Sequence, residues 1–215
     1  MKPLILASGS PRRAKILRDL GVEFEIVKTE APEVSIPHDP VRTVTENALA
    51  KLKAAVAQER DTPDAVATSC DPPEEEGRAI LAADTIVWFN GKIYGKPRDL
   101  AEAKAFLREL SGQTHTVFTG VAYVGPAIPA NAPSPQAGTV LKNFAPTTAC
   151  ARSHVTFRQL SDAAIDEYVA RVRPLDRAGA YDIDENGDLI VATYDGEYEN
   201  IMGLPVEPLR RFGII

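Results

Sequence analysis

The sequence predicts an α/β protein built on a mixed, twisted sheet flanked by helices. Three observations carry this. Short apolar strand candidates alternate with helix-period segments, the mark of a layered α/β arrangement. The first strand candidate passes through a small-residue turn directly into a helix start. Two later candidates flank Asn90-Gly91, a hairpin signal, so part of the sheet is antiparallel.

The elements follow in order. Leu4-Ile5-Leu6-Ala7 is a short buried strand. Ser10-Pro11 opens a helix to about Leu20, stopped by Gly21. Phe24 to Val27 is a second strand. Val41, Val44, Ala48, Leu52 and Ala55 recur at helical spacing, so a long amphipathic helix covers about 40–58. Ala79 to Val87 is an apolar run and a central strand. Ala103, Phe106, Leu107 and Leu110 mark a helix closed by Ser111-Gly112. Thr114 to Val124 and Cys150 to Leu160 read as strands. Ser161 caps a helix whose buried stripe is Ile165, Tyr168, Val169 and Val172. Asp188 to Thr193 is a late strand, and Leu204-Pro205 begins a short last helix. Two proline-rich stretches, near 61–78 and 125–147, fit no element and read as insert-like loops.

The chain has 215 residues, a hydrophobic fraction of 44% and a charged fraction of 25%. Those values fit a globular protein whose single domain, 1–215, buries its own core. With 24 Lys plus Arg against 30 Asp plus Glu, the formal net charge is −6. An acidic chain lacks the basic face of a nucleic-acid binder, so no nucleic-acid partner is expected. No apolar run approaches the roughly 20 residues of a membrane span. Met1-Lys2-Pro3 leads into too few apolar residues for a signal-peptide core. Cys70 and Cys150 form no CxxC motif and read as reduced thiols, so the expected compartment is the cytoplasm.

Leu4 to Arg13 is the most informative segment. Arg12 and Arg13 fall in the first turn of their helix, where the dipole disfavours cations by about 0.3–1 kcal/mol. An anion held there by free backbone N–H groups and the two guanidinium forks relieves the conflict, and phosphate is the obvious one. The bland alternative is a capped helix with two solvated arginines. Asp84 presents a second oddity, a carboxylate inside the apolar run Ile80 to Val87. An unpaired buried carboxylate is costly, so Asp84 meets a metal, a cation or several donors. It could ligate a hard divalent cation, activate a water, or bond a turn at the strand end. Glu33 is a possible second metal ligand. Lys53 lies on the long helix, and Lys96 in Gly95-Lys96-Pro97 has its backbone restricted by the proline. His38, His115 and His154 are scattered, and His115 reads as structural. Trp88 and Phe89 read as packing or a dimer surface, with base stacking the lesser alternative, and Asp195 and Glu197 as a polar turn.

Together the segments resemble the Maf family of nucleoside triphosphate pyrophosphatases. The resemblance rests on Leu6-Ala7-Ser8-Gly9-Ser10-Pro11-Arg12-Arg13, Ala83-Asp84-Thr85, Gly95-Lys96-Pro97 and Leu110-Ser111-Gly112-Gln113-Thr114-His115. It continues through Thr119-Gly120-Val121, Pro174 to Tyr181 and Gly203-Leu204-Pro205, in order along nearly the whole chain. It implies a two-lobed fold of the inosine-triphosphatase-like kind with the active site in the inter-lobe cleft. It also implies hydrolysis of a nucleoside triphosphate to monophosphate and pyrophosphate with a divalent metal, Mg²⁺ or Mn²⁺, and a homodimer. Carried over by motif, Asp84 is the general base; Ser8, Arg12, Arg13, Lys53 and Lys96 hold phosphates; Glu33 and Asp84 hold the metal. Lys51 lies close to Lys53 and competes for its place. Arg12 and Thr85 match the branch of the family that takes dTTP and UTP. Asp184 stands where that branch has a Gln, and a carboxylate accepts where an amide also donates. A different class of reading is a nucleotide-binding regulator of septum formation that acts through partner binding.

Overall fold

β1 (Leu4–Leu6) is apolar at every position because helices cover both of its faces. The computed structural model describes residues 3–60, 78–125 and 145–215. The insert-like stretches fall almost entirely outside these residues, and Cys70 does so wholly. After β1 the chain forms α1 (Pro11–Asp19), β2 (Phe24–Ile26), α2 (Pro40–Arg60), β3 (Ile80–Phe89), β4 (Lys92–Tyr94) and α3 (Leu100–Leu110). Then come β5 (Thr114–Val124), β6 (Thr147–Phe157), α4 (Asp162–Val172), β7 (Val191–Asp195), α5 (Tyr198–Met202) and α6 (Val206–Arg211). The sheet order is β2-β1-β3-β5-β6-β7, with β4 also paired to β3. β1 runs parallel to β2 and β3, and the remaining pairs are antiparallel, which makes the sheet mixed as expected.

Side chains alternate along β3 and β5 and sort the helices onto two faces. Ile80, Ala82 and Ala122 point to α2, whose Ala48, Leu52 and Ala55 complete that layer. Leu81, Ala83 and Val121 point the other way, to α1 and α6. Farther along the same face, Val87, Val117, Val155 and Phe157 meet α3 and α4. One face therefore carries a single long helix. The other carries two helix groups at opposite ends of the long strands, and a cleft lies between them.

The sheet has a gap on one edge of β3. β1 pairs with Ile80 and Leu81, and β4 pairs with Val87 to Phe89. Between Leu81 and Val87 no strand lies on that edge among the described residues. On the other edge β5 is continuous, and its Gly120 stands opposite Asp84. A Cβ at Gly120 would overlap the backbone carbonyl of Val44, so glycine is what lets α2 lie this close to the sheet.

Some element ends differ from the sequence reading. β6 ends at Phe157, and β7 begins at Val191 because Gly187–Leu189 forms a 3-10 turn. The segment read as a polar turn around Asp195 and Glu197 leads into α5. Ser10 occupies the N-cap of α1 with Pro11 behind it, but its side chain makes no capping bond. His115 is buried against Phe157 and Tyr181, as a structural residue would be. No helix among the described residues is long and apolar enough to cross a membrane.

Candidate active site

A cavity of about 830 Å³ opens at the end of β1 and runs through the gap beside β3. Ser8, Arg12, Arg13, Glu33, Asp84, Thr85 and Lys96 all line it. Residues spread over almost ninety positions of sequence are thus gathered at one place. Two expected residues are not among them, Lys53 and Asp184.

Arg13 is anchored at every nitrogen. Its Nε donates to the Gly203 carbonyl at 2.8 Å, Nη1 to Ser8 Oγ at 2.9 Å and Nη2 to Thr85 Oγ1 at 3.0 Å. All three acceptors are neutral, so they orient the guanidinium without cancelling its charge. Burial lowers the Arg13 pKa to about 10, with the Asp84 carboxylate opposing, and the group is still cationic at neutral pH. Gly203 adopts φ of 108°, a left-handed conformation that turns its carbonyl to Arg13. Thr85 is fixed in turn by Thr119, whose hydroxyl lies at 3.0 Å and donates to the Asn200 carbonyl.

Asp84 is gripped from the opposite face. Its Oδ2 accepts from Asn47 Nδ2 at 3.0 Å and its Oδ1 from the Lys51 ammonium at 2.6 Å. The same ammonium lies 2.8 Å from Glu33 Oε1. Asn47 and Lys51 are four residues apart on α2, one helical turn. Lys51, not Lys53, reaches the cavity from this helix. The buried stripe of α2 runs through Val44, Ala48, Leu52 and Ala55, and Lys53 lies about 180° around the helix from Val44. Its side chain is exposed on the outer face. Lys51 was the rival the sequence reading named for this place; Asn47, a polar residue set within the buried stripe, was legible but not singled out.

Arg12 meets Asp182, its Nη1 3.3 Å from Asp182 Oδ2 and 4.0 Å from Asp176 Oδ2. Asp182 also accepts from Arg177 Nε at 2.8 Å and from the Asp184 N–H at 2.9 Å. Burial pushes the Asp182 carboxyl up, but these donors and the two guanidinium charges outweigh it and hold it below its ordinary value. Asp182 lines the cavity, and the expected Asp184 does not. The side chain of Asp184 is drawn outward, accepting from Tyr198 Oη at 3.3 Å and lying 3.9 Å from Lys15. Asp182 had no local signature, because one of the two arginines that share it, Arg12, lies 170 residues away along the chain.

Among the described residues the cavity carries five cations, Arg12, Arg13, Lys28, Lys51 and Lys96, against Glu33, Asp84, Asp176 and Asp182. Arg12 and Lys51 are paired with acids. Arg13, Lys28 and Lys96 have no acidic partner among the described residues, and all three line the cavity. The donors also fit a divalent metal. Glu33 and Asp84 already converge on one cation, the Lys51 ammonium, through hard carboxylate oxygens. No group of three or more His, Cys, Asp or Glu is gathered among the described residues. Two carboxylates with substrate phosphates completing the shell is the usual arrangement for Mg²⁺.

The sequence matches the family model described as Maf-like protein over residues 3–212. It is 37% identical to the dTTP/UTP pyrophosphatase of Bacillus cereus (strain ATCC 10987 / NRS 248), covering 98% of this chain and 88% of that one. It is 38% identical to the dTTP/UTP pyrophosphatase of Bacillus cytotoxicus, covering 98% and 94%. Among solved structures, the Staphylococcus aureus Ham1 protein aligns over 98% of this chain and 97% of its own, with 12% identity and a TM-score of 0.48. The family match over nearly the full length makes this chain a member of the Maf-like family.

Proposed function

We propose that the protein hydrolyses nucleoside triphosphates to the monophosphate and pyrophosphate, with dTTP and UTP as its substrates, and so clears nucleotide pools. The observation that carries the reading is the pairing of unneutralised cations with one gripped carboxylate in a single cavity. Arg13, Lys28 and Lys96 supply positive charge without acidic partners among the described residues, and Asp84 lines the same cavity. The pyrimidine preference takes its support from the similar Bacillus proteins named for dTTP and UTP, and from Arg12 and Thr85 at the cavity wall.

Phosphoryl transfer is mainly a problem of charge and position. Arg13, Ser8 and the N-terminal turn of α1 hold the polyphosphate, and Lys96 on the cavity lining adds positive charge. These fixed donors stabilise the charge that builds on the departing pyrophosphate. Asp84 orients the attacking water in line with the α-phosphorus and takes its proton. Because Asn47 and Lys51 occupy both carboxylate oxygens, the carboxylate plane is set before substrate arrives. Mg²⁺ or Mn²⁺ held by Glu33 and Asp84 would supply neutralisation of the phosphate oxygens and a more acidic bound water.

Hydrolysis of dTTP, UTP, ATP and GTP in ¹⁸O-labelled water tests this. The label is expected in the monophosphate of dTTP and UTP, with pyrophosphate unlabelled. Label in orthophosphate overturns the cleavage site. Tight nucleotide binding without turnover overturns the enzyme and favours a regulator that acts through a partner.

A further inference from the structure

We propose that Asn47 is a positioning residue that locks Asp84 and the loop bearing Glu33 in one relative orientation. The proposal rests on the pyrophosphatase reading and deepens it. Asn47 is 3% exposed, and its amide is fully used on its donor side. Its Oδ1 accepts from the Val34 N–H at 2.8 Å, while Nδ2 donates to the Val34 carbonyl at 3.1 Å and to Asp84 Oδ2 at 3.0 Å. An amide turned by 180° would set its oxygen against both the Val34 carbonyl and the Asp84 carboxylate, and would lose all three bonds. One orientation survives, and it presents an N–H to Asp84.

Val34 adjoins Glu33, so this one side chain ties three parts of the site together. They are the strand carrying Asp84, the helix carrying Lys51, and the loop carrying Glu33. The loop is held at two more points farther on. Thr43 Oγ1 accepts from the Ile36 N–H at 3.0 Å, and Trp88 Nε1 donates to the Pro37 carbonyl at 3.0 Å. Those two bonds keep the loop folded when Asn47 is removed. Asn47 does not act on substrate; it acts through Asp84.

A double-mutant cycle between Asn47→Ala and Asp84→Asn reads this out. Asn47→Ala is expected to lower kcat for UTP roughly 10- to 100-fold with KM and analogue affinity changed less than about threefold, because the loss falls on orientation rather than binding. Asn47→Gln, which keeps the amide, is expected to recover part of the rate. Added to Asp84→Asn, the Asn47→Ala change is expected to cost little more. Multiplying rate losses in the double variant, or an Asn47→Ala effect that falls on nucleotide affinity, overturns the proposal. Where Asp84→Asn is too slow to measure, the kcat-against-affinity split of Asn47→Ala decides alone. Undiminished turnover by Asp84→Asn would instead strike the proposed function, so the two failures are distinguishable.

Discussion

Asp84 and Thr85 are consecutive on β3 and point to opposite faces of the sheet, yet both line the same cavity. Asp84 meets α2 through Asn47 and Lys51, and Thr85 meets Arg13 of α1. The gap beside β3, between the ends of β1 and β4, makes this possible. The carboxylate reaches the cavity from one layer and the anchored arginine from the other. A continuous sheet would have kept the two groups apart.

The two lysines of α2 should therefore differ sharply. Lys51→Met removes the cation that Asp84 and Glu33 share, and is expected to lower kcat/KM by at least tenfold. Lys53→Met, on the exposed face, is expected to stay within twofold of the parent. Steady-state kinetics with UTP and a fixed Mg²⁺ concentration check both.

The contrast shows what was legible in the sequence. Leu6 to Arg13 announced a strand end, a turn and a helix start, and all three are present. Asp84 stood out because a charge inside an apolar run needs an explanation. Lys53 was misplaced because a motif fixed the neighbourhood while helical phase fixes the face, and phase favours Lys51. Asp182 was missed because its partners, Arg12 and Arg177, come together only in three dimensions. Sheet edges, too, are set by strand pairing, so the gap beside β3 had no signal in one chain segment.

Gly120 faces Asp84 across the β3–β5 pair, and a methyl there would collide with the α2 backbone. Backbone cannot swing aside as a flexible side chain can. Gly120→Ala is expected to cost about 2–3 kcal/mol of stability by overpacking. It is also expected to lower kcat, since the shift moves Asn47 and Lys51 off Asp84. Urea denaturation and kinetics on the same preparation measure both effects.

His115 gives the protein an acid-sensitive core. Burial lowers its pKa from 6.5 to about 3. Its Nε2 lies 3.0 Å from Tyr181 Oη, and Nδ1 has no partner among the described residues. Between those two values the unfolded chain binds a proton that the folded one refuses, so stability rises with pH across the window. The His115 contribution is complete above about pH 6.5 and falls by about 2 kcal/mol by pH 5. Urea midpoints measured from pH 7.5 to 4.5 should show this slope, and His115→Phe should flatten it while costing stability at neutral pH through the unpaired Tyr181 hydroxyl.

Asp84→Asn bears most directly on the site. The substitution keeps the shape of the side chain and removes the group that takes a proton from water. Pyrophosphate release from UTP with Mg²⁺ is expected to fall by about 10³-fold or more, in line with the loss of a general base and its positioning, while a non-hydrolysable UTP analogue binds within a few-fold of the parent. Release at the parent rate would contradict the role given to this carboxylate and the account built on it.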